Sequence, residues 1–256
     1  MAQVTPAQQL FDLTGEVALV TGASSGLGWR FAEVLAAHGA KVIAAARRVD
    51  RLQALAAENP SIIPLKLDVT RPEDFPAALD AAEAAAGPLT LLVNNAGWGG
   101  RDTSSEHSAE DWQRLQATNV DSVWHLSQAF AKRLMARKQA GSIINISSLA
   151  GFIVSETPAP YAIGKAAVVQ MTRALGYELA RHKIRVNGIA PGYIHSEMTD
   201  DYLASEAGKA MLKRVPQRRA GQPSDLDGTL LLLASPRASG FMTGTSIIVD
   251  GGLALK

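Results

Sequence analysis

The chain has 256 residues, with 25 basic against 24 acidic side chains, a formal net charge of +1 and no cysteine. So even a balance gives no sign of a nucleic-acid or anionic-membrane surface. The missing thiols exclude disulfides, thiolate metal sites and cysteine nucleophiles, and they suit a reducing cytoplasm, the expected location.

Residues 1–13 lack a basic stretch followed by an apolar run, so no signal peptide is expected. No apolar run reaches the ~20 residues of a membrane span. In chain order, strands are predicted at 16–21, 41–46, 62–69, 89–93, 142–147, 184–190 and 246–250. Helical spacing runs over 28–38, with Gly39 placed just past the helix end. Thr70, Pro72 and Glu73 predict a helix start with capping-box spacing from Thr70 to Glu73. Ser108 is placed to cap a long helix reaching about 137, a further helix covers about 161–181, and Pro223 marks another start. The strands are near-continuous apolar runs, as in a parallel sheet covered on both faces. Strand–helix alternation with right-handed crossovers then predicts one α/β domain over 1–256, a doubly wound sheet of about seven strands. The long irregular stretch 191–221 is expected to form a lid on the substrate side.

Between the first strand and its helix runs Thr21-Gly22-Ala23-Ser24-Ser25-Gly26-Leu27-Gly28. Gly22 lets the backbone turn sharply, Gly26 lets it approach a pyrophosphate, and Gly28 lets helix and strand pack closely. The helix N-terminus offers free N–H groups to phosphate oxygens. A dinucleotide is the expected ligand and the sheet is expected to be Rossmann-like. At the end of the second strand, Ala46 stands where a carboxylate would bind the ribose 2′-hydroxyl of NAD, and Arg47 and Arg48 follow. Arginine forms charge-assisted bonds to a 2′-phosphate, so NADP(H) is preferred, with NAD(H) still admissible. Ser25 is neutral where a second phosphate-binding cation could stand. Asp68-Val69 either meets the adenine edge or makes a turn.

Tyr161 and Lys165 share one helix face. A phenol titrates near ~10, and a nearby ammonium is expected to lower that value and make Tyr161 a usable acid/base. Taken in order, Thr21–Gly28, Asn94-Asn95-Ala96-Gly97, Asn119, Ser148, Tyr161-x3-Lys165, Pro191-Gly192 and Asp250-Gly251-Gly252 resemble the short-chain dehydrogenase/reductase family, over nearly the whole chain. The resemblance implies hydride transfer between a ketone and a secondary alcohol. It makes Asn119, Ser148, Tyr161 and Lys165 the catalytic set. Ser148 would hold the substrate oxygen, with Ser147 as its competitor, since alternation sends the two to opposite faces. Lys165 would also bind the nicotinamide ribose, and a helix irregularity at Asn119 would position a water linked to Lys165. The implied cofactor contacts are Gly22, Ser24, Ser25, Gly26, Leu27, Gly28, Arg47, Arg48, Asp68, Val69, Asn95, Ala96, Gly97, Tyr161, Lys165, Pro191, Gly192, Ile194 and Ser196. Asn94 is read as structural, and Ser196 stands where the family more often has threonine. Members are commonly homotetramers.

Five scattered histidines predict no metal site. Trp98, Phe152, Tyr193, Met198 and Met211 are candidates for an apolar substrate pocket. One alternative within the family is a 3-oxoacyl-thioester reductase, whose acyl carrier would dock on Lys209, Lys213, Arg214, Arg218 and Arg219. Alternatives of other classes are a dinucleotide sensor without turnover, which retention of all three central residues disfavours, and a methyltransferase, which leaves Tyr161-x3-Lys165 unexplained. The expected partner is a small carbonyl or alcohol, with neither nucleic acid nor membrane.

Overall fold

The computed structural model of the protein describes residues 4–99, 105–154 and 157–255. Seven strands form one parallel sheet: β1 Val17–Thr21, β2 Lys41–Ala46, β3 Ile62–Lys66, β4 Leu91–Asn94, β5 Gly141–Ile146, β6 Ile184–Pro191 and β7 Ser246–Val249. Their spatial order is β3-β2-β1-β4-β5-β6-β7. Helices are α1 Ala7–Leu10, α2 Gly26–Ala37, α3 Val49–Glu58, α4 Phe75–Ala86, α5 Ala109–Gln116, α6 Ser122–Arg137, α7 Ala159–Leu179, α8 Asp200–Ala204, α9 Glu206–Leu212, α10 Asp227–Ala234 and α11 Pro236–Ser239.

Both faces of the sheet are buried, and the strand alternation divides them. Ala18, Val20, Leu91, Val93 and Ile144 point into one core with Phe31 and Leu35 of α2 and Leu230 of α10. Leu19, Ile43, Leu92, Ile143 and Val186 point into the other, with Phe75 of α4, Phe130 of α6 and Leu175 of α7. Residues that alternate in direction yet are all apolar explain why the strands read as continuous hydrophobic runs. The chain winds outward from β1 in one direction and, from β4, in the other. A crevice therefore opens at the carboxyl ends of β1 and β4, where ligands bind in sheets of this kind.

Three local expectations change. Thr70 caps no helix: its hydroxyl donates to Asp68 Oδ1 at 2.8 Å, and a short 3₁₀ turn over Pro72–Asp74 precedes α4. Helix α3 went unread because Arg48 at its N-cap makes no capping bond and only Leu52 and Leu55 are buried. The stretch 191–221 is also less irregular than expected. It carries α8 and α9, and Leu203, Met211, Val215 and Ala220 build a small core with Leu149 and Leu253. Met211 is thus a core residue and not part of a pocket wall.

Candidate active site

The glycine turn follows β1 directly. Gly22 has φ +68° and Gly26 φ +55°, which are left-handed conformations that glycine adopts without strain. A Cβ at Gly28 would overlap the Gly22 carbonyl and lie 2.5 Å from Asn95 Nδ2, so helix and strand can meet only over a glycine. A Cβ at Gly26 would meet only Ser196 Cβ, at 3.5 Å, so this face is open toward Ser196. Helix α2 begins at Gly26 with no side chain capping its first N–H groups. The groove alongside, about 550 Å³, is bordered by Ser24, Ser25, Gly26, Arg51, Glu197 and Pro223. It lies beside the turn and does not reach Tyr161. Leu27 is partly buried and packs against the core, leaving its main chain at the start of α2.

Thr21 ties the turn to the next strand. Its Oγ1 accepts from the N–H groups of Asn95 and Ala96, each at 3.0 Å, and Asn95 Nδ2 donates to Thr21 O at 2.9 Å. Asn94 is structural as expected. Its Nδ2 donates to Ser127 Oγ at 3.0 Å and to Asn145 Oδ1 at 2.9 Å, and Asn145 Nδ2 in turn donates to Thr172 Oγ1 at 2.9 Å. At Gly97 a Cβ would be 3.5 Å from Asn119 Oδ1 and 3.6 Å from Lys165 Nζ, so this glycine lets two polar side chains approach one backbone position.

The predicted irregularity at Asn119 is a π-helical turn over Ala117–Asp121, joining α5 to α6. Ser108 caps α5 by accepting from Asp111 N, as the sequence implies. The Asn119 side chain is buried and clasps the Trp98 backbone from both sides: Nδ2 donates to Trp98 O and Oδ1 accepts from Trp98 N, each at 2.8 Å. Arg114 stacks its guanidinium 4.5 Å from the Trp98 ring centre, a contact the sequence did not announce.

Ser148 and Ser147 separate as alternation requires. Ser147 Oγ donates to Ile189 O at 3.1 Å inside the core, whereas the Ser148 hydroxyl is hydrogen-bonded to the Tyr161 phenol. Lys165 on the same helix as Tyr161 is buried, donates from Nζ to Ile146 O at 2.9 Å, and lies 5.6 Å from the Tyr161 ring centre. Burial pushes the Lys165 ammonium down to about 8. Burial also raises the Tyr161 phenol above its ordinary value; the Ser148 hydrogen bond opposes this in part, and Tyr193 adds to it. The expected lowering of the phenol is therefore not what this arrangement gives, because desolvation of the phenolate outweighs the one opposing interaction, the Ser148 hydrogen bond.

Arg48 faces the glycine turn, donating from Nε to Ser24 Oγ at 3.1 Å and from Nη2 to Ser25 Oγ at 2.7 Å. Arg47, its neighbour, is exposed, and its charge acts on Asp68. Asp68 Oδ1 accepts from Thr70 N at 3.0 Å, which is the turn reading of that residue, and Val69 packs on the core. Burial raises the Asp68 carboxyl, but hydrogen bonds from Thr70 prevail and hold it below the ordinary range. Gly192 N donates to Val249 O at 2.9 Å, fixing the Pro191-Gly192 corner at the end of β6. Ile194 is buried in the core, and its backbone bridges to Gly221. His195 forms an exposed pair with Asp200 at 2.8 Å, and no group of three or more potential metal ligands occurs among the described residues.

Arg51 is a groove residue that sequence reading missed. Once α3 is recognised, its i,i+3 spacing from Arg48 is the signal that would have found it.

A family profile described as enoyl-(acyl carrier protein) reductase matches residues 22–254. The 5-keto-D-gluconate 5-reductase of Escherichia coli (strain K12) is 39% identical over 249 residues, 95% of this chain and 97% of that protein. The chain belongs to the short-chain dehydrogenase/reductase family. A 3-oxoacyl-[acyl-carrier-protein] reductase of Vibrio cholerae is 38% identical over 94% of this chain and 98% of its own. The crystal structure of a gluconate 5-dehydrogenase from Burkholderia cenocepacia J2315, in complex with NADP and tartrate, superposes with a TM-score of 0.93 at 36% identity, covering 98% of this chain and 100% of that one. This short-chain dehydrogenase/reductase is accordingly an oxidoreductase acting on CH–OH groups.

Proposed function

We propose that the protein is an NADP(H)-dependent oxidoreductase interconverting a ketone and a secondary alcohol on a small polyhydroxy acid, with Tyr161 as general acid/base. The observation that carries this reading is the convergence of the Ser148 hydroxyl and the Tyr161 phenol, beside the buried Lys165 ammonium. The glycine turn fits a dinucleotide, because Gly22 and Gly26 hold left-handed backbone and Gly26 leaves an uncovered approach to the free end of α2. The first turn of α2 would hold the pyrophosphate and Arg48 with Arg51 the 2′-phosphate. Asn95, Ala96, Gly97, Pro191, Gly192 and Ser196 would border the remainder, with Lys165 at the nicotinamide ribose. The bound nicotinamide supplies or accepts the hydride at the substrate carbon.

The chain's own residues handle the oxygen. Ser148 Oγ and Tyr161 Oη are hydrogen-bonded neighbours, and a substrate carbonyl oxygen seated beside them would accept from both hydroxyls. In reduction Tyr161 gives its proton to that oxygen, and in oxidation it takes the proton back. Its raised value keeps it protonated at neutral pH, the form that gives a proton to the carbonyl oxygen in reduction. Asn119 acts as a positioning residue by fixing the Trp98 backbone beside Gly97 and Lys165.

The polyhydroxy-acid class is supported by the relatives named for gluconate and keto-gluconate chemistry. The 3-oxoacyl alternative has a relative of similar identity, but its docking surface is weakened here. Lys209 pairs with Glu206 at 2.8 Å, Arg219 pairs with Asp225 through contacts of 2.5 and 3.0 Å, and Arg218 is engaged by the Lys213 carbonyl. A homotetramer is supported by the family and by the exposed Trp112, Trp124, Ile163 and Tyr177 on α5, α6 and α7. No helix among the described residues is long and apolar enough to cross a membrane. A cytoplasmic site of action is supported by the absence of cysteine.

The test is Tyr161→Phe, with turnover of 5-keto-gluconate and NADPH affinity measured on the same preparation. Turnover is expected to fall by about 10²–10⁴ while NADPH affinity is nearly unchanged. Near-normal turnover would remove Tyr161 from the acid/base role.

A further inference from the structure

A carboxylate stands at the mouth of the cofactor groove with no task in the chemistry above. Glu197 follows Ser196 in the segment after β6. Its Oε1 lies 2.5 Å from Arg51 Nη1 and its Oε2 lies 3.4 Å from Arg48 Nη1. Arg48 is simultaneously held by the hydroxyls of Ser24 and Ser25. Two guanidinium groups and two hydroxyls thus converge just past the end of β2, and a single acidic side chain answers both cations. The Arg51 hydrogen bond, with Arg48 assisting, holds the Glu197 carboxyl below the usual carboxylate range, so it is charged at neutral pH.

We propose that Glu197 is a carboxylate clasp that occupies the place of a cofactor 2′-phosphate between Arg48 and Arg51 and must swing away when that phosphate binds. The proposal rests on the NADP(H) reading of the same groove. Its electrostatics follow from charge. A phosphate monoester near neutral pH carries between one and two negative charges and offers three acceptor oxygens, so it outcompetes one carboxylate for two arginines. It also repels that carboxylate if both remain. A free 2′-hydroxyl does neither, so NADH leaves the clasp closed.

The geometry suits displacement more than permanent bridging. The three side chains are 44%, 42% and 57% exposed for Arg48, Arg51 and Glu197, and ion pairs in such solvent are individually weak. The clasp is also tied to the substrate side. The N–H groups of Thr199 and Asp200 both donate to Ser196 O at 3.0 Å, and Thr199 Oγ1 donates to Ile194 O at 2.5 Å, making residues 194–200 a compact turn. That turn carries Ser196 over Gly26 and Met198 against Gly99. Glu197 is therefore carried on a turn, held by its own hydrogen bonds, that borders both the cofactor groove and Gly99 beyond β4.

The experiment measures dissociation constants of NADPH, NADH and 2′,5′-ADP for the full chain and for Glu197→Gln, by calorimetry at one low salt concentration. The clasp predicts that the variant binds NADPH and 2′,5′-ADP about tenfold tighter, the scale of two exposed ion pairs, with NADH unchanged. If 2′,5′-ADP binds the two proteins equally, the clasp is overturned and the NADP(H) reading stands. If neither NADPH nor 2′,5′-ADP binds either protein, the NADP(H) reading fails and the clasp falls with it. Equal tightening of NADPH and NADH would also overturn the clasp, since its effect must depend on the 2′-phosphate.

Discussion

Lys165 combines a charge with almost complete burial, and that combination has a measurable cost. Its ammonium donates to Ile146 O, and burial lowers its proton affinity from the ordinary 10.5 to about 8. Below pH 8 both folded and unfolded chains carry the proton, and the burial penalty is fully present. Between 8 and 10.5 the unfolded chain binds more protons than the folded one, so stability contributed by this group rises with pH. The raised Tyr161 phenol adds no slope below its ordinary value of 10.0. Denaturant unfolding of the cofactor-free protein at about pH 7.5 and about pH 9.5 should therefore show a rise that Lys165→Met lacks. Identical pH dependence in the two proteins would mean Lys165 keeps its proton in the fold. At this scale the sequence was informative about identity and less so about direction. Tyr161-x3-Lys165 and Ser148 were legible from the resemblance, and alternation predicted that Ser147 and Ser148 face opposite ways, as they do. The shift of the phenol was not legible, because desolvation depends on what packs around Tyr161, including Tyr193 from a distant segment.

The elements place these residues through a few close approaches. The β1–α2 junction is held by Thr21, which receives two backbone N–H groups from the β4 turn, and by Gly28, over which helix and turn touch. Gly28→Ala would put a methyl group into the Gly22 carbonyl, which is backbone and cannot rotate away. The expected loss is about 1–3 kcal/mol of stability, read by urea unfolding, together with weaker NADPH binding. Unchanged stability would mean that the junction relaxes and that the glycine is not required for packing. The strands were legible because double burial writes apolar runs into the sequence, and the turn was legible from its glycines. Helix α3 was not, since Arg48 gives no capping signal and its apolar face is only Leu52 and Leu55. Missing α3 also hid Arg51, and with it the arginine pair. Likewise Thr70 to Glu73 had capping-box spacing, yet Asp68 takes the Thr70 hydroxyl and Glu73 turns to Arg71.

Across the whole molecule, the strand order determines where chemistry can occur. Reversal of winding between β1 and β4 opens the crevice, and the glycine turn, the Asn95–Gly97 turn and the Ser148 segment all follow carboxyl ends of central strands. The doubly wound sheet and its seven strands were legible from the repeated strand–helix pattern. The packing of residues 191–221 was not, because α8 and α9 are short and acquire their core only against Leu149 and Leu253. The substrate is the least legible property, since it depends on side chains brought together from several loops and not on any one motif. Hydride transfer between NADPH and a ketone carbon in this architecture has a direct test. The protein is incubated with NADPH carrying deuterium at the transferable nicotinamide position and with 5-keto-gluconate, and the product is examined by NMR. Deuterium is expected on the carbon that bore the ketone. NADPH binding without deuterium in the product, across 5-keto-gluconate and a panel of related ketones, would contradict it.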